Sequence, residues 1–290
     1  MQYRTGVLLV LVAAVLWSLM GLMIRQIEEA GTWAVLFWRS VGMLPVLLAY
    51  QAIRHQGRAF NGFAETGFAG VLGGIGLVGA FGGAIYAIQA TTIANAVFLF
   101  TASPFIAAIL GLILLRERVR PETWGAMVVG VIGIFVMVRE GLETGALAGN
   151  IAALLSALGF ATFTVTLRWR RVSDTMPSVI LGAVFSLITG AVVALALGQP
   201  LAVPVSDAAW AMAMGAGTLT GGMILYAMGS KVIPAAELAL LSNIEVVLSP
   251  IIVWALLGET ASANTFIGGA VVLAAVTVNG IIGARRAAGA

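Results

Sequence analysis

Glu245 is the residue of this sequence that most plainly could do chemistry. It stands nine residues into an apolar run over 236–257. A carboxylate near mid-bilayer costs about 2.5–3.5 kcal/mol on insertion scales, so it calls for a partner, a proton or a wet cavity. Ser242, Glu245 and Ser249 fall at i, i+3 and i+7, on one helical face. That polar stripe suits a cavity lining in which Glu245 binds a substrate amine or carries a proton. The structural alternative is a buried hydrogen bond or ion pair. Arg39 is the other charge inside an apolar run. It can pair with Glu245, snorkel outward or cradle a substrate carboxylate.

Aromatic residues give a second signal. Trp17, Tyr86, Phe98, Phe163 and Tyr226 lie inside apolar runs, whereas Trp33, Trp124, Trp169 and Trp210 lie at run ends, as in interfacial belts. Each inner ring lines a cavity or faces lipid. Asn95, Phe98, Thr101 and Phe105 share one broad face, a mixture that suits a cavity binding planar or zwitterionic molecules by stacking and cation–π contact. Ser18 and Ser103 add hydroxyls to the candidate cavity. Pro45, Pro104 and Pro250 free the carbonyls of Val41, Phe100 and Val246, acceptors for an ammonium group or merely kinks.

Other chemistry is missing from the sequence. Of 290 residues none is Cys and one is His, His55, which leaves no thiol chemistry and no metal site. There is no P-loop, no H-E-x-x-H and no G-x-S-x-G, and the two aspartates, Asp174 and Asp207, fall at helix ends. We expect no enzyme, no cofactor and no nucleic-acid partner.

These side chains must be positioned by membrane helices. The chain is 61% hydrophobic and 9% charged, against roughly 25% charged in soluble domains, which excludes both a soluble globule and a disordered chain. About 20 apolar residues span a bilayer. Ten runs of that kind occur, at about 5–24, 33–53, 67–89, 92–115, 122–138, 146–167, 176–197, 207–229, 236–257 and 263–283. The links 90–91 and 230–235 read as tight turns, Ser206 and Asp207 as an N-cap, and Pro121 and Pro177 as helix starts. The first run lacks a cleavage site and is followed by Arg25 and a second span, so it reads as a helix rather than a signal peptide.

Of the 15 Lys and Arg, twelve fall on one side if the termini share it: Arg4, Arg54, Arg58, Arg116, Arg118, Arg120, Arg168, Arg170, Arg171, Lys231, Arg285 and Arg286. The other side keeps Arg25 and Arg139. By the positive-inside rule both termini are cytoplasmic. Segments Ala94–Glu117 and Ala236–Glu259 resemble each other at an offset of 142, and both end in a Leu-rich run closed by Glu, which caps or anchors a helix end. The ten spans divide into five (1–143) and five (144–290). Five crossings invert the second half, and inverted repeats are a signature of alternating access. In the third span Gly70, Gly73, Gly76, Gly79 and Gly82 recur at every third position, which wraps them round the helix for close packing or sliding.

The order of Val15-Leu16-Trp17-Ser18, Phe37-Trp38-Arg39, Ser103-Pro104-Phe105, Leu115-Arg116-Glu117-Arg118 and Leu257-Gly258-Glu259 resembles the EamA branch of the drug/metabolite transporter superfamily. Val15–Arg25 is similar to the opening of YddG-type exporters, associated with aromatic amino acids and methyl viologen. The family usually has Pro directly after the ninth-span Glu; here Val246 stands there and Pro250 a turn later. The resemblance implies an all-α bundle of ten helices round a central cavity. The function expected is a monomeric inner-membrane exporter of amino acids, aromatic ones first, or related small metabolites. A facilitative pore and a multidrug or other metabolite exporter are the alternatives.

Overall fold

The computed structural model describes residues 2–288 except 59, 61, 117, 118, 145, 171, 173, 230, 231, 233–240 and 242; of 140–144 and 283–288 it describes the backbone only. Among the described residues the chain is helical, with nine helices long and apolar enough to cross a bilayer. They are α1 (Tyr3–Arg25), α2 (Thr32–Arg54), α3 (Phe63–Ala90), α4 (Ile93–Leu115), α5 (Pro121–Thr144), α6 (Leu147–Trp169), α7 (Met176–Ala196), α8 (Val205–Gly229) and α10 (Ala263–Ala288). The ninth expected run is a helix over Ile244–Leu257, α9; its expected first residues lie outside the described set. Large apolar side chains such as Val128, Val131, Ile132 and Phe135 on α5 stand exposed. Such a girdle is stable only against lipid. The protein is a multi-pass membrane protein.

Lipid supplies no hydrophobic force between helices, so close backbone approach must hold the bundle. The glycines provide it. On α3, Gly70 faces Ser178 of α7, Gly73 and Gly76 face Phe163 of α6, and Gly82 faces Leu36 and Trp33 of α2. Three partners on three sides are what a period of three residues on a 3.6-residue helix produces. Elsewhere Gly190 of α7 abuts the backbone of Trp33 and Phe37, Gly42 of α2 abuts the Met212 carbonyl, and Gly133 of α5 abuts the Gly268 carbonyl.

Three helices are interrupted. α1 breaks at Leu19, between Tyr3–Ser18 and Met20–Arg25. α4 breaks at Thr101 and Ala102, and Pro104 starts its second half rather than kinking a continuous helix. α8 is π-helical over Met214–Gly221. Pro121 and Pro177 do start helices. The link after Ala90 is a tight turn in which the Thr92 side chain caps α4. Ser206 and Asp207 do not form the expected N-cap: Pro204 holds that position. The Asp207 carboxylate instead accepts from the Glu29 and Ala30 amides, both at 2.9 Å, tying α8 to the α1–α2 link.

Structural features recur at the spacing found in the sequence. α4 closes on Arg116 with φ 55° and α9 on Gly258 with φ 67°, 142 residues later. α5 starts at Pro121 and α10 at Ala263, again 142 apart. Left-handed backbone is cheap for Gly258 and strained for Arg116. Its occurrence at a non-glycine shows that the surrounding turn imposes it.

Candidate transport site

The breaks gather polar groups between the helices. The Trp17 and Tyr226 rings lie 5.4 Å apart, and Trp17 Nε1 donates to the Leu219 carbonyl in the π-helical stretch at 3.4 Å. Gly222 lies directly against the indole, so α8 reaches Trp17 only because it carries no side chain there. The Ser18 hydroxyl donates back to Val15 at 2.7 Å, beside the Leu19 break. At the α4 break Thr101 donates to the Phe98 carbonyl at 2.6 Å, and Ser103 is buried one step further on. Ser249 is buried on α9. Glu245 begins that helix half-buried, and among the described residues it makes no hydrogen bond or ion pair. Ser242 lies outside the described residues.

Other expected members go elsewhere. Tyr86 stands 43% exposed, apart from this set, and Pro104 is exposed too. Phe98 is wedged against Gly269 of α10, and Phe105 of the same face against Gly130 of α5. Phe163 fills the notch left by Gly73 and Gly76. The Asn95–Phe105 face is thus packed against α5, α6 and α10. An aromatic opposite a glycine is a knob in a hole, and one chain's periodicity does not reveal the hole.

Arg39 does not snorkel: it is fully buried, its guanidinium 4.5 Å over the Phe81 ring. No ion pair joins it to Glu245 among the described residues, and its Nε and Nη2 have no hydrogen-bond partner there. Sequence reasoning missed two further hydroxyls, Ser186 and Thr220, buried without partners among the described residues. It also missed the hydrogen bond that the Asn95 side-chain amide of α4 donates to Asn150 Oδ1 of α6. Serine and threonine are too common in membrane helices for type alone to single them out.

One end of the bundle is closed by side chains. Arg25 Nε donates to Glu259 at 2.8 Å, and its Nη2 reaches Glu259 at 3.2 Å and the Thr91 carbonyl at 2.8 Å. The same carboxylate accepts from the Ile93 amide at 2.8 Å. Glu259 does anchor a helix end, that of α4. Three links, after α1, α3 and α9, are fastened at one point. Beneath lies a cavity of about 220 Å³ bordered by Ile93, Ala94, Pro250, Val253 and Trp254. At the opposite end Arg54 pairs with Asp174 at 3.0 Å.

A bundle of apolar helices, broken where polar groups collect and latched at one end, belongs to the class of multi-pass membrane transporters. The chain belongs to the EamA-like transporter family, whose sequence profile matches it twice, over residues 4–139 and 147–281. It is similar to an uncharacterized transporter of Archaeoglobus fulgidus, with 25% identity over 285 residues covering 95% of this chain and 96% of that one. A solved crystal structure shares the fold, with a TM-score of 0.68 at 20% identity over 98% of this chain and 100% of the other.

Proposed function

We propose that the protein is a secondary transporter that exports amino acids, aromatic ones first, or related small metabolites across the inner (plasma) membrane by alternating access. In this reading the termini are cytoplasmic, the protein works as a monomer, and no reaction is catalysed. The Arg25–Glu259 closure carries it. Two side chains and two backbone groups hold three links together, so that end of the bundle can open without unpacking a core. Residues 1–143 and 144–290 act as inverted halves, which supplies the second, oppositely open state. The doubled family match and the recurrence of caps at 142 residues support that division. Trp17 and Tyr226 supply the stacking surface, with Ser18, Thr101, Ser103 and Ser249 as polar lining. Glu245, without a partner among the described residues, meets the substrate amine or a proton.

The test is purified protein in liposomes supplied with a panel of amino acids. Saturable uptake and counter-exchange are expected, with aromatic amino acids ahead of small neutral ones. Glu245→Gln is expected to abolish proton-driven accumulation while leaving exchange. Flux that neither saturates nor exchanges identifies a pore instead, and wild-type accumulation by Glu245→Gln at every pH removes the coupling role.

A further inference from the structure

We propose that Arg39 is the docking point for a substrate carboxylate, so that the cargo class is carboxylate-bearing metabolites. The inference deepens the transport reading and rests on it. Arg39 is fully buried, and its Nε and Nη2 are buried with no hydrogen-bond partner among the described residues. Those two N–H groups lie on one edge of the planar guanidinium and point the same way. That edge is the fork that takes the two oxygens of a carboxylate side by side.

Among the described residues no carboxylate pairs with this cation. The Asp207 carboxylate is engaged by two backbone amides and Glu259 by Arg25. Glu245 makes no contact with Arg39 among the described residues. The ring of Phe81 faces the guanidinium at 4.5 Å, which holds its plane without occupying its edge donors. Nor can the side chain leave by a shift of its helix. Gly215 of α8 lies against the Arg39 carbonyl, and Gly42, less than a turn on, against the Met212 carbonyl. Gly190 of α7 meets Trp33 and Phe37 from another side.

A second donor lies at the same level. α2 and α7 run antiparallel, fixed by Gly190 against Trp33 and Phe37 and by Asp174 against Arg54. Interpolating between those points puts Ser186 at the depth of Arg39 and Ser40 along the bundle, on the same α7 face as Gly190. The Ser186 hydroxyl is fully buried and has no partner among the described residues. On α8, Arg39 meets the π-helical stretch Met214–Gly221, and such stretches concentrate at functional sites. One guanidinium with a hydroxyl matches a single negative charge. Among the described residues Arg39 is the sole cation with a fully buried side chain, which disfavours a doubly charged phosphate.

The experiment compares phenylalanine with its amide and with its decarboxylated amine, and adds inorganic phosphate. Binding is read by thermal shift of the purified full-length protein, and flux is read in liposomes. Wild type is expected to bind phenylalanine about ten- to a hundredfold more tightly than the amide or amine, the span of one charge-assisted contact. Arg39→Gln should erase that ratio. Ser186→Ala, which loses no bond to the described residues, should weaken phenylalanine several-fold and keeps the test alive if Arg39→Gln fails to fold. Equal binding of the three compounds, phosphate binding ahead of phenylalanine, or a ratio that survives Arg39→Gln overturns the site. If flux persists with equal binding, the transport reading stands and the carboxylate site falls. If the ratio is present in binding and no compound crosses the membrane, the site stands and the transport reading falls.

Discussion

Arg25 and Arg39 flank the first link of the chain and are treated in opposite ways. Arg25, at the end of α1, is about a quarter exposed and has a carboxylate and a carbonyl on its nitrogens. Arg39, seven residues into α2, is fully buried and has an aromatic face instead. A charge at the rim of the bundle keeps part of its hydration and gains from an ion pair. A charge in the interior loses hydration, and leaving it unpaired costs several kcal/mol in effective terms. A side chain that holds the fold together is paired, as Arg25 is. One that has no partner at that cost, as Arg39 has none among the described residues, is the one proposed above to receive a ligand. The two positions therefore predict different consequences of the same kind of change.

The largest effect falls on the contact that fixes Arg39 in place. In Gly215→Ala the new methyl meets the Arg39 carbonyl, a backbone atom that cannot rotate away. Overpacking of this kind costs about 1–3 kcal/mol, and alanine's better helix propensity returns about 1 kcal/mol. A net loss of up to about 2 kcal/mol is expected in thermal unfolding in detergent. Gly217→Ala, two residues on with nothing within 4 Å, should stabilise by up to about 1 kcal/mol. Equal responses at the two positions would mean that α8 does not clamp α2.

Arg25→Met should cost about 1 kcal/mol, because both partners keep some solvent and an exposed ion pair is worth little. Its kinetic effect should be larger than its stability effect. The chain has no cysteine, so a single one placed at Val253, in the cavity beneath the latch, reports opening to an impermeant maleimide. Labelling about tenfold faster than in the Arg25 parent is expected, the kinetic equivalent of 1.4 kcal/mol. Labelling from the outer face of right-side-out vesicles also tests the cytoplasmic placement of the termini. An unchanged rate would make the Arg25–Glu259 pair a fixed staple. Arg39→Met, by contrast, removes an unpaired buried charge for an apolar chain, a change that is neutral or stabilising by about 1 kcal/mol. A drop as large as that of Arg25→Met would show that Arg39 serves the fold.

How much of this was legible follows from the kind of signal each feature leaves. The spans were legible because about 20 apolar residues have one use in water-free surroundings, and the 142-residue spacing because both copies keep a Leu-rich run closed by Glu. Arg39 and Glu245 stood out since charge is so scarce. What could not be read was who faces whom. Phe98 and Tyr86 are alike in sequence, yet one finds Gly269 across the interface and the other finds none. The Arg25–Glu259 pair joins residues 234 apart, and at a helix end either residue alone reads as an ordinary rim charge. Ser186 was silent because an unpaired hydroxyl is defined by missing partners.

Salt gives the smallest effect and separates the two arginines without mutation. Raising ionic strength from 0.05 to 0.5 M shortens the Debye length from about 14 to about 4 Å. The latch, partly exposed, is screened over that range, and the Val253 reporter should label about twofold faster. Arg39 has no exposed surface, so mobile ions cannot come between its fork and a bound carboxylate. The phenylalanine-to-amide binding ratio should hold within twofold across the same series, measured with a chloride salt and checked with a bulkier anion. A ratio that falls in step with the labelling change would mean that salt reaches the interior, and the contrast between a hydrated rim cation and a dry central one would collapse.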